Sequence, residues 1–94
     1  MLKFEWDENK NKTNIEKHGI SFEEASSVFL DEEALIIADE EHGDDEERFI
    51  LIGFSLRANL LVVCHCYRQE DSIIRIISAR KADKKESEQY IRKL

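Results

Sequence analysis

Three apolar runs, at 48–55, 60–68 and 73–80, constrain this chain more than any other feature. They are rich in Ile, Val, Leu, Phe and Cys. Only Leu56-Arg57-Ala58-Asn59 and Gln69-Glu70-Asp71-Ser72 separate them. A parallel neighbour needs a crossover of about a dozen residues or more, so loops this short force antiparallel hairpins. Ala34-Leu35-Ile36-Ile37-Ala38 supplies a shorter strand before them. The prediction is a four-stranded antiparallel β-sheet, a meander.

Helix signals flank these runs. Asp7 is placed to N-cap a helix that reaches about His18, with Gly19 as its left-handed stop. Only Ile15 is clearly apolar between Glu8 and His18, so this helix reads as an exposed cover displaying Lys10, Lys12 and Lys17. Ser21-Phe22-Glu23-Glu24 is a capping box, and Phe22, Ala25, Val28 and Phe29 follow at core-facing helical spacing. Asp83-Lys84-Lys85-Glu86 repeats the capping logic before a last helix with Tyr90, Ile91 and Leu94 as its stripe. Phe4-Glu5-Trp6 reads as a short extended start. The fold class predicted is α+β: two N-terminal helices, the four-stranded meander and a C-terminal helix, in a single domain over 1–94.

Net charge is -7, which argues against a nucleic-acid partner only if charge is spread evenly. It is not. Residues 1–22 sum to 0, residues 23–47 to -12 and residues 48–94 to +5. The acid peaks in Asp39-Glu40-Glu41-His42-Gly43-Asp44-Asp45-Glu46-Glu47, which reads as a solvated loop lying away from the path of any polyanion. No apolar stretch approaches the ~20 residues of a membrane span, and the first residues do not read as a signal peptide. The expected location is the cytoplasm, with no membrane partner. Cys64 and Cys66 share one strand face and His65 the other, which suits neither a disulfide nor a metal site. They read as reduced core thiols, with no cofactor and no metal.

Arginine placement is the remaining puzzle, because strand cores exclude unpaired charge. Hairpin loops suggest a register in which Arg48 faces Tyr67, Val63 faces Ser78 and Leu61 faces Arg80. Alternation then puts Arg48, His65, Tyr67, Ser78 and Arg80 on one face and Arg68 and Arg75 on the other. On that register Arg48 and Arg80 are about six residues apart along the strands, roughly 20 Å.

Trp6-Asp7-Glu8 with Lys10, then Asn14, Lys17-His18-Gly19, Phe22-Glu23-Glu24-Ala25, Val28-Phe29, Glu47-Arg48, Gly53, Ser55 and Ser78-Ala79-Arg80, together resemble the BrnT family. Those proteins are small ribonuclease toxins of type II toxin–antitoxin systems with a RelE-like architecture. The resemblance implies metal-independent RNA cleavage at a cationic site of Lys17, Arg68 and Arg80, with His18, Glu47, Arg48 and Ser78 in support. It implies RNA as substrate and a small antitoxin with a ribbon-helix-helix-like DNA-binding domain. Operator DNA would be reached only through that antitoxin, in a dimer or a heterotetramer. The alternative is a non-catalytic member that acts only as an antitoxin-binding corepressor or interaction module.

The resemblance leaves several roles open. Arg68 joins the site only if a bulge in strand 60–68 turns it over or if it reaches round the strand end. Some relatives have a carboxylate near the position of Ser55, so the general base is unassigned. His18 suits either proton transfer or a place at the helix C-terminus.

Overall fold

The computed structural model describes residues 2–39 and 47–93. The acidic positions 40–46, and with them most of the expected solvated loop, lie outside the described residues, as does Leu94 of the last helical stripe. In chain order the elements are β1 (Lys3–Glu5), α1 (Glu8–His18), α2 (Phe22–Ser27), a 3-10 turn (Val28–Leu30), β2 (Leu35–Asp39), β3 (Arg48–Phe54), β4 (Leu60–Arg68), β5 (Ile73–Lys81) and α3 (Lys84–Lys93).

The sheet corrects the predicted fold class. It has five strands in the order β1-β5-β4-β3-β2, and β1 runs parallel to β5. It is mixed, not a four-stranded antiparallel meander. The hairpins β2–β3, β3–β4 and β4–β5 are antiparallel as their short loops require. The added strand is the extended start, which pairs Lys3 with Ile73, Phe4 with Ile74 and Glu5 with Arg75.

The helices form where their caps stand. Asp7 Oδ1 accepts from the amides of Asn9 and Lys10, and Gly19 ends α1 at φ 72°. That positive φ suits glycine, which has no Cβ to clash. Ser21 Oγ accepts from the Glu24 amide. Phe22, Ala25 and Val28 are fully buried against Leu51, Leu61, Val63, Ile76 and Ala79, which makes one face of the sheet the main core. On the opposite face Ile52, Val62 and Tyr90 of α3 form a smaller cluster. Ile91, expected to share the α3 stripe, is exposed.

α1 is the weakly apolar cover its sequence predicts, and Asn14 is its one buried residue. Its side chain does the work a core stripe would do. Asn14 Nδ2 donates to the Ala79 carbonyl at 2.7 Å and to the Ile20 carbonyl at 2.9 Å, while Oδ1 accepts from the Ala79 amide at 3.1 Å. β1 accompanies β5 only as far as Arg75. Beyond that, the Asn14 amide stands in for the missing strand and satisfies the exposed edge.

A β-bulge in β5 resets the register. His65 pairs with Ile76, but Cys64 pairs with Ser78, so Ile77 is the extra residue. The first hairpin is also one residue out of the expected phase, with Phe54 opposite Leu60 and Gly53 opposite Leu61. A one-residue slip exchanges the two faces of a strand. The expected grouping of arginines is therefore overturned. His65 and Tyr67 turn to the core, where His65 packs edge-on to Phe29 (ring centroids 4.8 Å). Arg48, Ser78 and Arg80 turn to the other face, which they share with Arg75 and Arg68.

Candidate functional site

Two grooves meet at the bulge. The first, about 210 Å³, lies on the open face of the sheet and is lined by Asp39, Arg48, Ile50, Val62, Cys64, Ile77, Ser78 and Arg80. The second, about 340 Å³, runs between α1 and the free edge of β5, and Lys17, His18, Ile77 and Ser78 are among its walls. Ile77 and Ser78 belong to both, because the bulge lets the strand bend at the point where its partner changes from β1 to Asn14.

Arg80 is half-buried and held in a fork. Its Nη1 and Nη2 donate to Glu86 Oε1 and Oε2 at 2.7 and 2.8 Å. Glu86 Oε1 also accepts from the Asp83 amide, and Asp83 Oδ1 accepts from the Glu86 amide. This is the capping box of α3, so the helix start and the guanidinium position are one structure. The hydrogen bond from Arg80 pulls the Glu86 carboxyl below the ordinary carboxylate range, and Glu86 raises Arg80 in turn.

Arg48 enters the same groove from β3, opposite Asp39 at the end of β2. Asp39 was expected in a solvated loop away from RNA; instead it closes a strand and faces the groove. Cys64 lies across from Ser78. Burial, and then Asp39, push its thiol up, against smaller lowering by Arg48 and the Ser78 hydrogen bond. Both cysteines are free thiols. Among the described residues no group of three or more His, Cys, Asp or Glu is placed to hold a metal ion.

The structure thus brings Lys17, His18, Arg48, Ser78 and Arg80 to the walls of adjoining grooves. It does not bring in the other two predicted residues. Arg68 shares the face of Arg80, which removes the conflict over its side. It stands about six residues further along β4, roughly 20 Å away, and its Nε pairs with Glu5 Oε2 at 3.5 Å. Arg75 uses the same Glu5 oxygen at 2.7 Å. Glu47 is exposed before β3 and lines neither groove. Ser55 is buried at the β3–β4 turn, where its hydroxyl donates to Glu24 Oε2, so it is a turn residue.

Glu86 holds Arg80 and Asn14 holds Ala79 beside the grooves, yet neither has a place in the candidate site read from sequence. The signal for Glu86 was present in Asp83-Lys84-Lys85-Glu86, a capping box that starts directly beyond Arg80. An arginine at a strand end beside an acidic helix start is a ready-made fork.

These features define a class: a small α+β protein whose mixed sheet carries arginines on its open face beside a lysine- and histidine-bearing helix. A family model described as the ribonuclease toxin BrnT of type II toxin–antitoxin systems matches residues 6–86. The chain belongs to the BrnT family. The crystal structure of the Brucella abortus ribonuclease toxin BrnT is similar to it, with TM-score 0.69 and 26% identity over 89% of this chain and 100% of that one. No curated protein matches the chain.

Proposed function

We propose that this BrnT-family toxin is a metal-independent endoribonuclease whose cleavage site is the junction of the two grooves at Ser78. Attack of a ribose 2′-OH on the adjacent phosphate builds negative charge on the non-bridging oxygens. Arg80, held by its Glu86 fork before the substrate arrives, and Arg48 are the donors for that charge. Lys17 is a further cation from α1, and His18 is the group suited to move a proton. Arg68 lies further along the same face and is a contact for a flanking part of the strand. The carrying observation is that Arg48, Ser78 and Arg80 line one groove.

In this reading the toxin works in the cytoplasm as one domain and is neutralised by a small antitoxin with a ribbon-helix-helix-like DNA-binding domain. Operator DNA is contacted through that antitoxin. No helix among the described residues is long and apolar enough to cross a membrane.

The test is Arg80→Ala. Loss of one transition-state donor should lower cleavage by about 10²–10³, with far-UV circular dichroism unchanged. Cleavage at the parent rate overturns the assignment. One observation favours a second reading, a non-catalytic corepressor: Arg68, Arg75 and Arg80 are all ion-paired within the chain. Growth arrest on expression without antitoxin separates the two, since a corepressor alone would not arrest growth.

A further inference from the structure

The groove between α1 and β5 is larger than one phosphate at Ser78 requires. α1 turns Lys10, Thr13, Asn14, Lys17 and His18 toward it, a spacing that falls on one helix face. Asn14 anchors the middle of that face to Ala79. Lys10 and Lys17 flank the anchor two turns apart, about 10 Å at 1.5 Å per residue.

Both lysines are exposed, and neither makes an ion pair with a described residue, so their ammonium groups are open to a ligand in the groove. In a chain of net charge -7, this groove is lined by two lysines, Lys10 and Lys17, against one carboxylate, Asp7. Asp7 accepts from the Asn9 and Lys10 amides through Oδ1 at the helix start and keeps its negative charge. The Thr13 hydroxyl donates to the Asn9 carbonyl. With two ammonium groups against one carboxylate the wall is net positive, and its lysines are spaced for an extended polyanion.

We propose that this groove is a second RNA subsite, in which Lys10 contacts a backbone phosphate flanking the one held at Ser78. The inference rests on the ribonuclease reading and adds a direction to it. The strand crosses the open face at Arg48 and Arg80, passes over the bulge and continues along α1 toward Lys10. Recognition there is electrostatic and independent of base sequence.

The test uses the full chain and RNA oligonucleotides carrying 2′-O-methyl groups, which bind but cannot be cleaved. Lys10→Ala should weaken an octanucleotide about three- to tenfold and reduce the slope of log affinity against log salt by ~0.7, the loss of one single-strand phosphate contact. A dinucleotide should bind equally to both proteins, and kcat on cleavable RNA should not change. Lys10→Arg should restore affinity. Lys12→Ala, on the opposite side of α1, should leave binding unchanged. Equal octanucleotide affinity in wild type and Lys10→Ala, or an equal loss in Lys12→Ala, overturns the subsite. If wild type binds no RNA, both readings fall. If it binds in a Lys10-dependent way but never cleaves, only the ribonuclease reading falls.

Discussion

Arg80 and Glu86 face each other in a two-pronged ion pair, 2.7 and 2.8 Å across, that joins the end of β5 to the first turn of α3. Such a fork fixes both distance and plane, which a single contact cannot. Glu86→Gln keeps the reach back to the Asp83 amide, because Gln also serves in a capping box. It removes the charged fork. The stability cost should stay below ~1 kcal/mol, since Arg80 is partly exposed and solvent screens the pair. RNA cleavage should nevertheless fall about tenfold in kcat with KM little changed, as for a group misplaced from its productive geometry. Unaltered kcat would show that Arg80 needs no positioning by α3.

Asn14 makes three buried hydrogen bonds, two that bridge α1 to Ala79 of β5 and one to the Ile20 carbonyl. Asn14→Ala leaves the Ala79 amide and two carbonyls without partners. The expected loss is about 2–4 kcal/mol, because stranded buried polar groups keep their full desolvation cost. Urea unfolding measures it. Hydrogen exchange should also accelerate first at the Ala79 amide. An unfolding midpoint equal to wild type would refute the edge-pairing role.

Gly53 stands where three groups converge. A Cβ there would meet Ala34 Cβ at 2.9 Å, Asp31 Oδ2 at 3.0 Å and Val28 Cγ1 at 3.0 Å. Asp31 cannot easily give way, because the same oxygen accepts from the Phe54 amide and the Tyr90 hydroxyl. Gly53→Ala should therefore cost about 1–3 kcal/mol by overpacking, seen as a lower Tm. A rise in Tm would mean that this junction has slack.

His65 is fully buried, and its Nε2 has no partner among the described residues. Burial pushes its pKa below the ordinary 6.5, partly offset by the Val63 carbonyl. A lowered folded value means that the unfolded chain takes up the proton first. Stability should be full above about pH 6.5 and fall as the pH drops from there through the lowered value. The depressed carboxyls of Glu86 and Asp31 add their losses only below their ordinary 4.5 and 3.8. His65→Phe, which keeps the aromatic packing, should flatten the slope between pH 6.5 and 4.5. A slope unchanged in His65→Phe would assign the acid sensitivity elsewhere.

Cleavage should persist after chelation, because fixed guanidinium and ammonium groups can neutralise the phosphate charge that a metal would otherwise carry. The measurement is RNA cleavage in excess EDTA. Loss of activity that a divalent ion restores would contradict a cation-only mechanism.

Several elements were legible in the sequence because their causes are local. Asp7 and Gly19 bound α1, Ser21 starts α2, and the short loops dictate antiparallel hairpins. BrnT membership was legible too, since it rests on residues spread along almost the whole chain. The candidate site was legible as residue types: Lys17, His18, Arg48, Ser78 and Arg80 reach the grooves, while Arg68 and Glu47 do not. Tertiary structure alone decided which faces these residues occupy. Side chains alternate with period two, so one bulged residue, Ile77, and one shifted hairpin exchange the faces, and no local pattern marks either. It also decided the fifth strand. Lys3–Glu5 is too short to carry a period, and its partner at Ile73–Arg75 lies on the far side of the chain. The contacts of Glu86 and Asn14 escaped the sequence for the same reason, because their partners, Arg80 and Ala79, are brought to them only by the folded sheet.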